Sequence, residues 1–83
     1  MPTTLTFLSR PGCHLCDDAR VVVNEVLADF PSVTFAEHSI EDDAELHERY
    51  AEEIPVVLIN DRVHNIWRVD PTRLRAALKE AEA

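Results

Sequence analysis

The sequence predicts an α/β fold, a mixed four-stranded sheet with helices on both faces, in the order β-α-β-α-β-β-α. Three observations carry this. Short runs rich in Thr, Val, Ile, Leu and Phe alternate with longer segments of helical period. A helical segment between the first two strands implies a parallel pair joined by a right-handed crossover. Asn60-Asp61 separates the last two apolar runs as a two-residue hairpin turn, which makes that pair antiparallel. With 83 residues, 46% of them apolar, the chain can bury one modest core, so residues 1–83 are expected to form a single domain.

Taken in order, Thr4 to Ser9 mixes threonine with Leu5, Phe7 and Leu8, a strand composition. Leu15, Ala19, Val22, Val23, Val26, Leu27 and Phe30 then recur at helical spacing, an apolar stripe wide enough to cover a sheet. The valines are mediocre helix formers, so burial has to hold this helix, and Pro31-Ser32 stops it. Val33 to Ser39 reads as the second strand, with Val33, Phe35 and Ile40 as core candidates. Glu41 to Ala51 is acidic and helix-prone; Asp42 is the expected cap, with Glu45 as its reciprocal partner. Only Leu46 and Tyr50 give that helix an apolar face, so it should be the least firmly held. Val56 to Ile59 is continuously apolar, as suits a strand buried on both faces. Val63 to Val69 returns antiparallel, with Trp67 either in the core, the favoured place, or roofing the cysteine site. Asp70 caps the last helix, Pro71 opens it, and Leu74, Ala77, Leu78 and Ala81 form its buried stripe.

Composition excludes several classes of function. A formal charge of -8 argues against nucleic acid, whose phosphates require a basic surface. No run approaches the ~20 apolar residues of a membrane span, and the first residues lack the pattern of a secretory signal. A cytoplasmic monomer is therefore expected. In a reducing compartment a lone cysteine pair is catalytic or metal-binding more often than a structural staple.

That pair, Cys13 and Cys16, lies in Ser9-Arg10-Pro11-Gly12-Cys13-His14-Leu15-Cys16, between the first strand and the first helix. A helix beginning near Cys13 places both sulfurs on one face, one turn apart. It also leaves the Cys13 sulfur near free backbone N–H groups at the positive end of the helix dipole. Both effects favour the thiolate, the attacking species in disulfide exchange. His14, as imidazolium, would act the same way. Asp17 and Asp18 oppose it, Asp17 from one helical turn away, although carboxylates in a first turn also suit the dipole.

Ser9 to Cys16, together with Glu53-Ile54-Pro55-Val56-Val57, resembles the glutaredoxin branch of the thioredoxin superfamily, and in it the short bacterial glutaredoxin-like proteins with a C-x-L-C-D motif. The resemblance implies a thioredoxin-like fold and a thiol–disulfide oxidoreductase. It makes Cys13 the nucleophile, Cys16 the resolving thiol, and Pro55 cis. Arg10 matches a basic residue that helps hold a glutathione carboxylate. Ile54 would offer main-chain contacts to an extended thiol-peptide, with Pro55 shaping that edge and His14 beside it. Asp70 matches the acidic residue that follows a Gly-Gly pair in the family. Two departures stand out: His14-Leu15 replaces the usual Pro-Tyr, and Ile66-Trp67-Arg68-Val69 replaces the glycine pair. The implied partners are a protein disulfide substrate or a thiol reductant. No bound cofactor is implied, and glutathione stands as a co-substrate against the missing glycines.

Two other classes are open from the residues alone. The cysteines with His14, His38, His47 and His64 would make a zinc site only without the usual histidine spacing, and an iron–sulfur cluster would need glutathione or further thiols. Glu41 to Glu53 carries seven carboxylates against one arginine, which suits either a solvated face or an adaptor that docks a basic partner.

Overall fold

A computed structural model describes residues 3–83. Its elements are β1 (Thr4–Ser9), α1 (His14–Leu27), β2 (Thr34–Ser39), α2 (Ala44–Tyr50), β3 (Val56–Ile59), β4 (Arg62–Ile66) and α3 (Pro71–Glu82), with a single 3₁₀ turn at Ile40–Asp42. The strands form one sheet in the order β2-β1-β3-β4, parallel between β1 and β2 and antiparallel elsewhere. The element order and the mixed sheet are those expected from the sequence.

The alternation of β1 divides the interior in two. Leu5 and Phe7 face Val57, Ala19, Val23 and Val26 of α1, and Leu74 and Leu78 of α3. Leu8 belongs to a second cluster with Cys16, Ile40, Ile54 and Val56, against which Leu46 and Tyr50 of α2 pack. Thus α1 and α3 cover one face and α2 the other. The Asn60-Asp61 turn has φ of 51° and 67° at its two central residues, the left-handed pair that matches the twist of a tight hairpin. Asn60 also ties the turn to β1, accepting from Thr4 N–H at 3.0 Å through its side chain.

Several boundaries differ from expectation, each for a local reason. Helix α1 ends at Leu27 rather than near Phe30, because Asp29 and Phe30 turn back onto Val26 and Leu27 with tight i→i−3 bonds of 3.0 and 2.9 Å. The second helix is capped by Asp43 and not by Asp42. Ile40 is fully buried and Ser39 caps the 3₁₀ turn, so Asp42 is used up within that turn. Asp43 Oδ1 then accepts from Glu45 and Leu46 N–H at 2.9 and 3.2 Å. Glu45 is consequently one residue too early to close a capping box.

Phe35 is 38% exposed rather than core: it pairs with the buried Leu5, but on the edge strand, at the margin of the helix cover. Strand β4 stops at Ile66, after a bulge opposite Val57/Leu58. Trp67 lies beyond it, 53% exposed, with a φ of 66° that no strand residue adopts.

No residue of α2 is fully buried, in contrast to α1 and α3. Its amide protons are expected to exchange faster than those of the two other helices, approaching the free energy of local rather than global opening. Exchange measured by mass spectrometry or NMR checks this; equal protection across the three helices would contradict it.

Candidate active site

The first cysteine is itself the helix cap. Cys13 has an extended backbone (φ −96°, ψ 111°), and its Sγ accepts a hydrogen bond from Cys16 N–H at 3.2 Å. A serine at such a position would accept the same bond through oxygen. Here a sulfur takes it, and a charged sulfur takes it more strongly than a neutral one. The turn before it requires the chain's one glycine: Gly12 has φ 74°, and a Cβ there would meet nothing within 4 Å, so conformation rather than space demands glycine.

The two thiols differ sharply in exposure. Cys13 is half-buried and Cys16 fully buried, and both are free. Burial pushes the Cys16 thiol up to about 11, helped by its hydrogen bond to Cys13 and opposed by the Arg10 main chain. Cys16 therefore rests as a neutral thiol beside the cap.

The other expected residues are placed as follows. Ile54 is buried in the cluster that includes Cys16, and Cys13 and Ile66 pack against that same cluster. The Ile54–Pro55 bond is cis. The Pro55 carbonyl accepts from Trp67 N–H at 2.8 Å, which brings the segment after β4 to the Pro55 edge. His14 and Arg10 are exposed. Asp70 is engaged as a cap: its Oδ1 accepts from Thr72 N–H at 2.8 Å and from Arg73 N–H at 3.3 Å. Among the described residues, no group of three or more His, Cys, Asp or Glu side chains is placed to hold a metal ion.

Two parts of the site differ from what the sequence favoured. Trp67 is held outside the core by its Nε1–H, which donates to the Glu52 carbonyl at 3.1 Å. Its indole, with Leu15, Ala19, Val22 and Arg68, borders a cleft of about 280 Å³ between α1 and the β4–α3 segment. The second part is a charge network. Arg20 donates to Glu37 from Nε and Nη2 at 3.0 and 2.7 Å and to Asp17 from Nη1 at 2.9 Å, while Ser9 Oγ donates to Glu37 at 3.0 Å. The Arg20 guanidinium holds the Glu37 carboxyl below its ordinary range, and the two carboxylates in turn push the Arg20 pKa up. Asp17, a negative charge one turn from Cys13 in the sequence, is paired in the structure with Arg20. The i,i+3 spacing of Asp17 and Arg20 was a local signal for that pair, whereas Glu37 arrives only through the β1–β2 register.

The family model Glutaredoxin-like domain (DUF836) matches residues 4–79. The chain belongs to this family. Among its relatives are the glutaredoxin-like protein YDR286C homolog of Dictyostelium discoideum, 31% identical over 84% of this chain and 69% of that one, and the uncharacterised protein Rv0508 of Mycobacterium tuberculosis, 36% identical over 83% and 75%. The X-ray structure of protein XcR50 from X. campestris is 36% identical, covers 92% of this chain and 96% of its own, and superposes with a TM-score of 0.69. Chloroplastic thioredoxin z, only 10% identical, covers 96% and 78% with a TM-score of 0.78 and so speaks for the fold alone. The glutaredoxin-like chain thus has a thioredoxin-like fold. No described helix is long and apolar enough to cross a membrane.

The raised Cys16 thiol has a sign that can be tested. A thiol raised on folding contributes stability that is intact below its ordinary value of 9.0 and lost as pH rises through about 11. The urea midpoint of the reduced protein is expected to fall over that window, and Cys16→Ala should flatten the fall. In the native protein at neutral pH, Cys13 should alkylate well before Cys16; equal rates at both would contradict the geometry.

Proposed function

We propose that this glutaredoxin-like chain is a thiol–disulfide oxidoreductase working through Cys13 and Cys16. The observation that carries the reading is the pairing of an accessible, N–H-capped Cys13 with a buried, neutral Cys16 one turn behind it. The Cys13 thiolate attacks one sulfur of a substrate disulfide, forming a mixed disulfide and expelling the other sulfur as a thiolate. Cys16 then gives up its proton and attacks Cys13 Sγ. The Cys13–Cys16 disulfide forms and the second substrate thiol leaves. Two electrons pass to the substrate, and an external thiol reductant returns them. No metal or bound cofactor takes part.

The high Cys16 pKa suits this order. A resolving thiol that stays protonated does not compete for the substrate and does not place a second negative charge beside Cys13. Ile54 and Pro55, just before β3 and beside the cysteine cluster, supply in this reading a main-chain edge for an extended substrate, with the exposed Arg10 and His14 close in sequence to Cys13 as further contacts.

The preferred partner in this reading is a protein disulfide or a protein reductant of a reducing, cytoplasmic compartment. Trp67 supports that choice. It occupies a left-handed backbone position that costs a bulky residue ~1–3 kcal/mol and that a glycine would adopt freely. Its indole stands where related glutaredoxins leave backbone open to glutathione. Each lost charge-assisted hydrogen bond is worth roughly 1.5–3 kcal/mol, which is tenfold or more in affinity. The Asp70 carboxylate, already capping α3, does not replace what the glycines would supply.

Trapping decides the activity: Cys16→Ser should accumulate mixed disulfides on Cys13 in a lysate, and Cys13→Ser should form none. Absence of any Cys13 adduct under oxidising conditions would refute the oxidoreductase reading. Reduction rates of the Cys13–Cys16 disulfide decide the partner. Glutathione is expected to be slow relative to a thioredoxin system, and Trp67→Gly should raise the glutathione rate several-fold. Fast, saturable glutathione turnover in the unaltered protein would overturn the preference.

A further inference from the structure

We propose that Arg20 is a positioning residue for Cys13, which ties up the Asp17 and Glu37 carboxylates so that their charge does not hold back the nucleophilic sulfur. The inference rests on the reading of Cys13 as the nucleophile and concerns what keeps it reactive.

The network joins three elements. Ser9, nearly fully buried at the end of β1, donates to Glu37 on β2, and Glu37 receives both Nε and Nη2 of Arg20 on α1. The remaining arm of the guanidinium reaches Asp17 at 2.9 Å. Arg20 also lies over the Phe7 ring, 5.6 Å from its centre, on the sheet face that α1 covers. The guanidinium is thus fixed by two carboxylates and an aromatic face, and it is one-third exposed while Asp17 is largely exposed. A lone i,i+3 pair at such an exposure would be weak; here the Phe7 face and the Glu37 carboxylate add further contacts, while the bond to Asp17 uses its own arm, Nη1.

Asp17 N–H donates to the Cys13 carbonyl at 3.1 Å, the first full helical turn of α1. Asp17 thus stands one helical turn after Cys13, a spacing at which Cβ atoms are typically about 5–6 Å apart. An unpaired carboxylate there disfavours a thiolate. Arg10, Asp17, Arg20 and Glu37 line one cavity of about 380 Å³ together with Pro11 and Gly12 of the turn before Cys13. The remaining ionisable groups around Cys13 are His14 and Cys16 on α1, Arg10 in the turn, Tyr50 of α2 against the shared cluster, and Glu53 beside Ile54. Asp18, next to Asp17 on α1, is a further carboxylate of this turn, and Arg20 is the cation bonded to Asp17.

The test reads the pH profile of Cys13 alkylation by iodoacetamide, an uncharged probe, with the Cys13 peptide quantified by mass spectrometry. Arg20→Gln should move the midpoint up by ~0.15–0.4 unit, a loss of about 1.4- to 2.5-fold in rate below it. Asp17→Asn added to Arg20→Gln should return most of that shift. Glu37→Gln, which leaves Arg20 charged and less compensated, should move the midpoint down. A purely structural network would shift Arg20→Gln and Glu37→Gln in the same direction, since both break the same fork; that result overturns the proposal, as does an unmoved midpoint in Arg20→Gln. Should circular dichroism show Arg20→Gln unfolded, Glu37→Gln and Asp17→Asn alone decide: both must lower the midpoint, and failure of either overturns it. Loss of all Cys13 adducts in the trapping experiment would instead refute the oxidoreductase reading, whatever these midpoints show.

Discussion

The hydrogen bond from Cys16 N–H to Cys13 Sγ is the contact on which the rest of the site depends. It makes one atom both the cap of α1 and the candidate nucleophile. For the bond to form, the chain must leave β1, reverse at Pro11-Gly12 and deliver Cys13 in an extended conformation one residue before the helix. The reversal uses the positive φ of Gly12, and the helix it starts is held by Ala19, Val23 and Val26 against Leu5 and Phe7. Packing far from the sulfur thus fixes where the N–H points. The cap would survive a serine at position 13, so a Cys13→Ser chain keeps its fold signal while losing its chemistry.

Around that contact, burial and charge divide the labour between two chemically identical side chains. Cys16 is carried into the α2-side cluster by the first turn of α1, and there the cost of ionising it is high. Cys13 stays at the surface, where its nearest fixed partner is an N–H. Two of the carboxylates on this side of the sheet, Asp17 and Glu37, are drawn onto Arg20. On the far side, the Trp67–Pro55 hydrogen bond closes the segment after β4 onto the edge of the site. Its left-handed conformation is what a glycine would adopt, yet a tryptophan is held in it from both its backbone N–H and its indole N–H.

Much of this was legible in the sequence because the signals were local. The C-x-x-C at a strand–helix junction, the Asn60-Asp61 turn, the Asp70-Pro71 helix start and the valine stripe of α1 each specify structure within a few residues. What was not legible depends on neighbours far along the chain. Phe35 looked like core because its strand is apolar enough, but an edge position left it half uncovered. Trp67 looked like core because it is large, but the strand ended one residue before it. Asp42 looked like a cap, and the buried Ile40 moved the helix start by one residue. The Arg20–Glu37 pair could not be read at all, since only the parallel register that places Glu37 opposite Phe7 brings the two together.

In the proposed oxidoreductase cycle the cap would also couple the redox state to the start of α1. In the dithiol state the Cys16 N–H has a sulfur that can carry negative charge; in a disulfide that sulfur is neutral and accepts weakly. The reduced form gains this difference, and a form of a dithiol that is selectively stabilised becomes the favoured product of exchange. Cys16 contributes in the other sense. Buried and neutral, it loses little by entering a disulfide, because neither of its two states carries a charge into the cluster around Leu8 and Ile40. In that reading the balance of the pair is set mostly at the half-buried Cys13 sulfur, by one N–H donor and the charges near it, and only weakly by the core beneath.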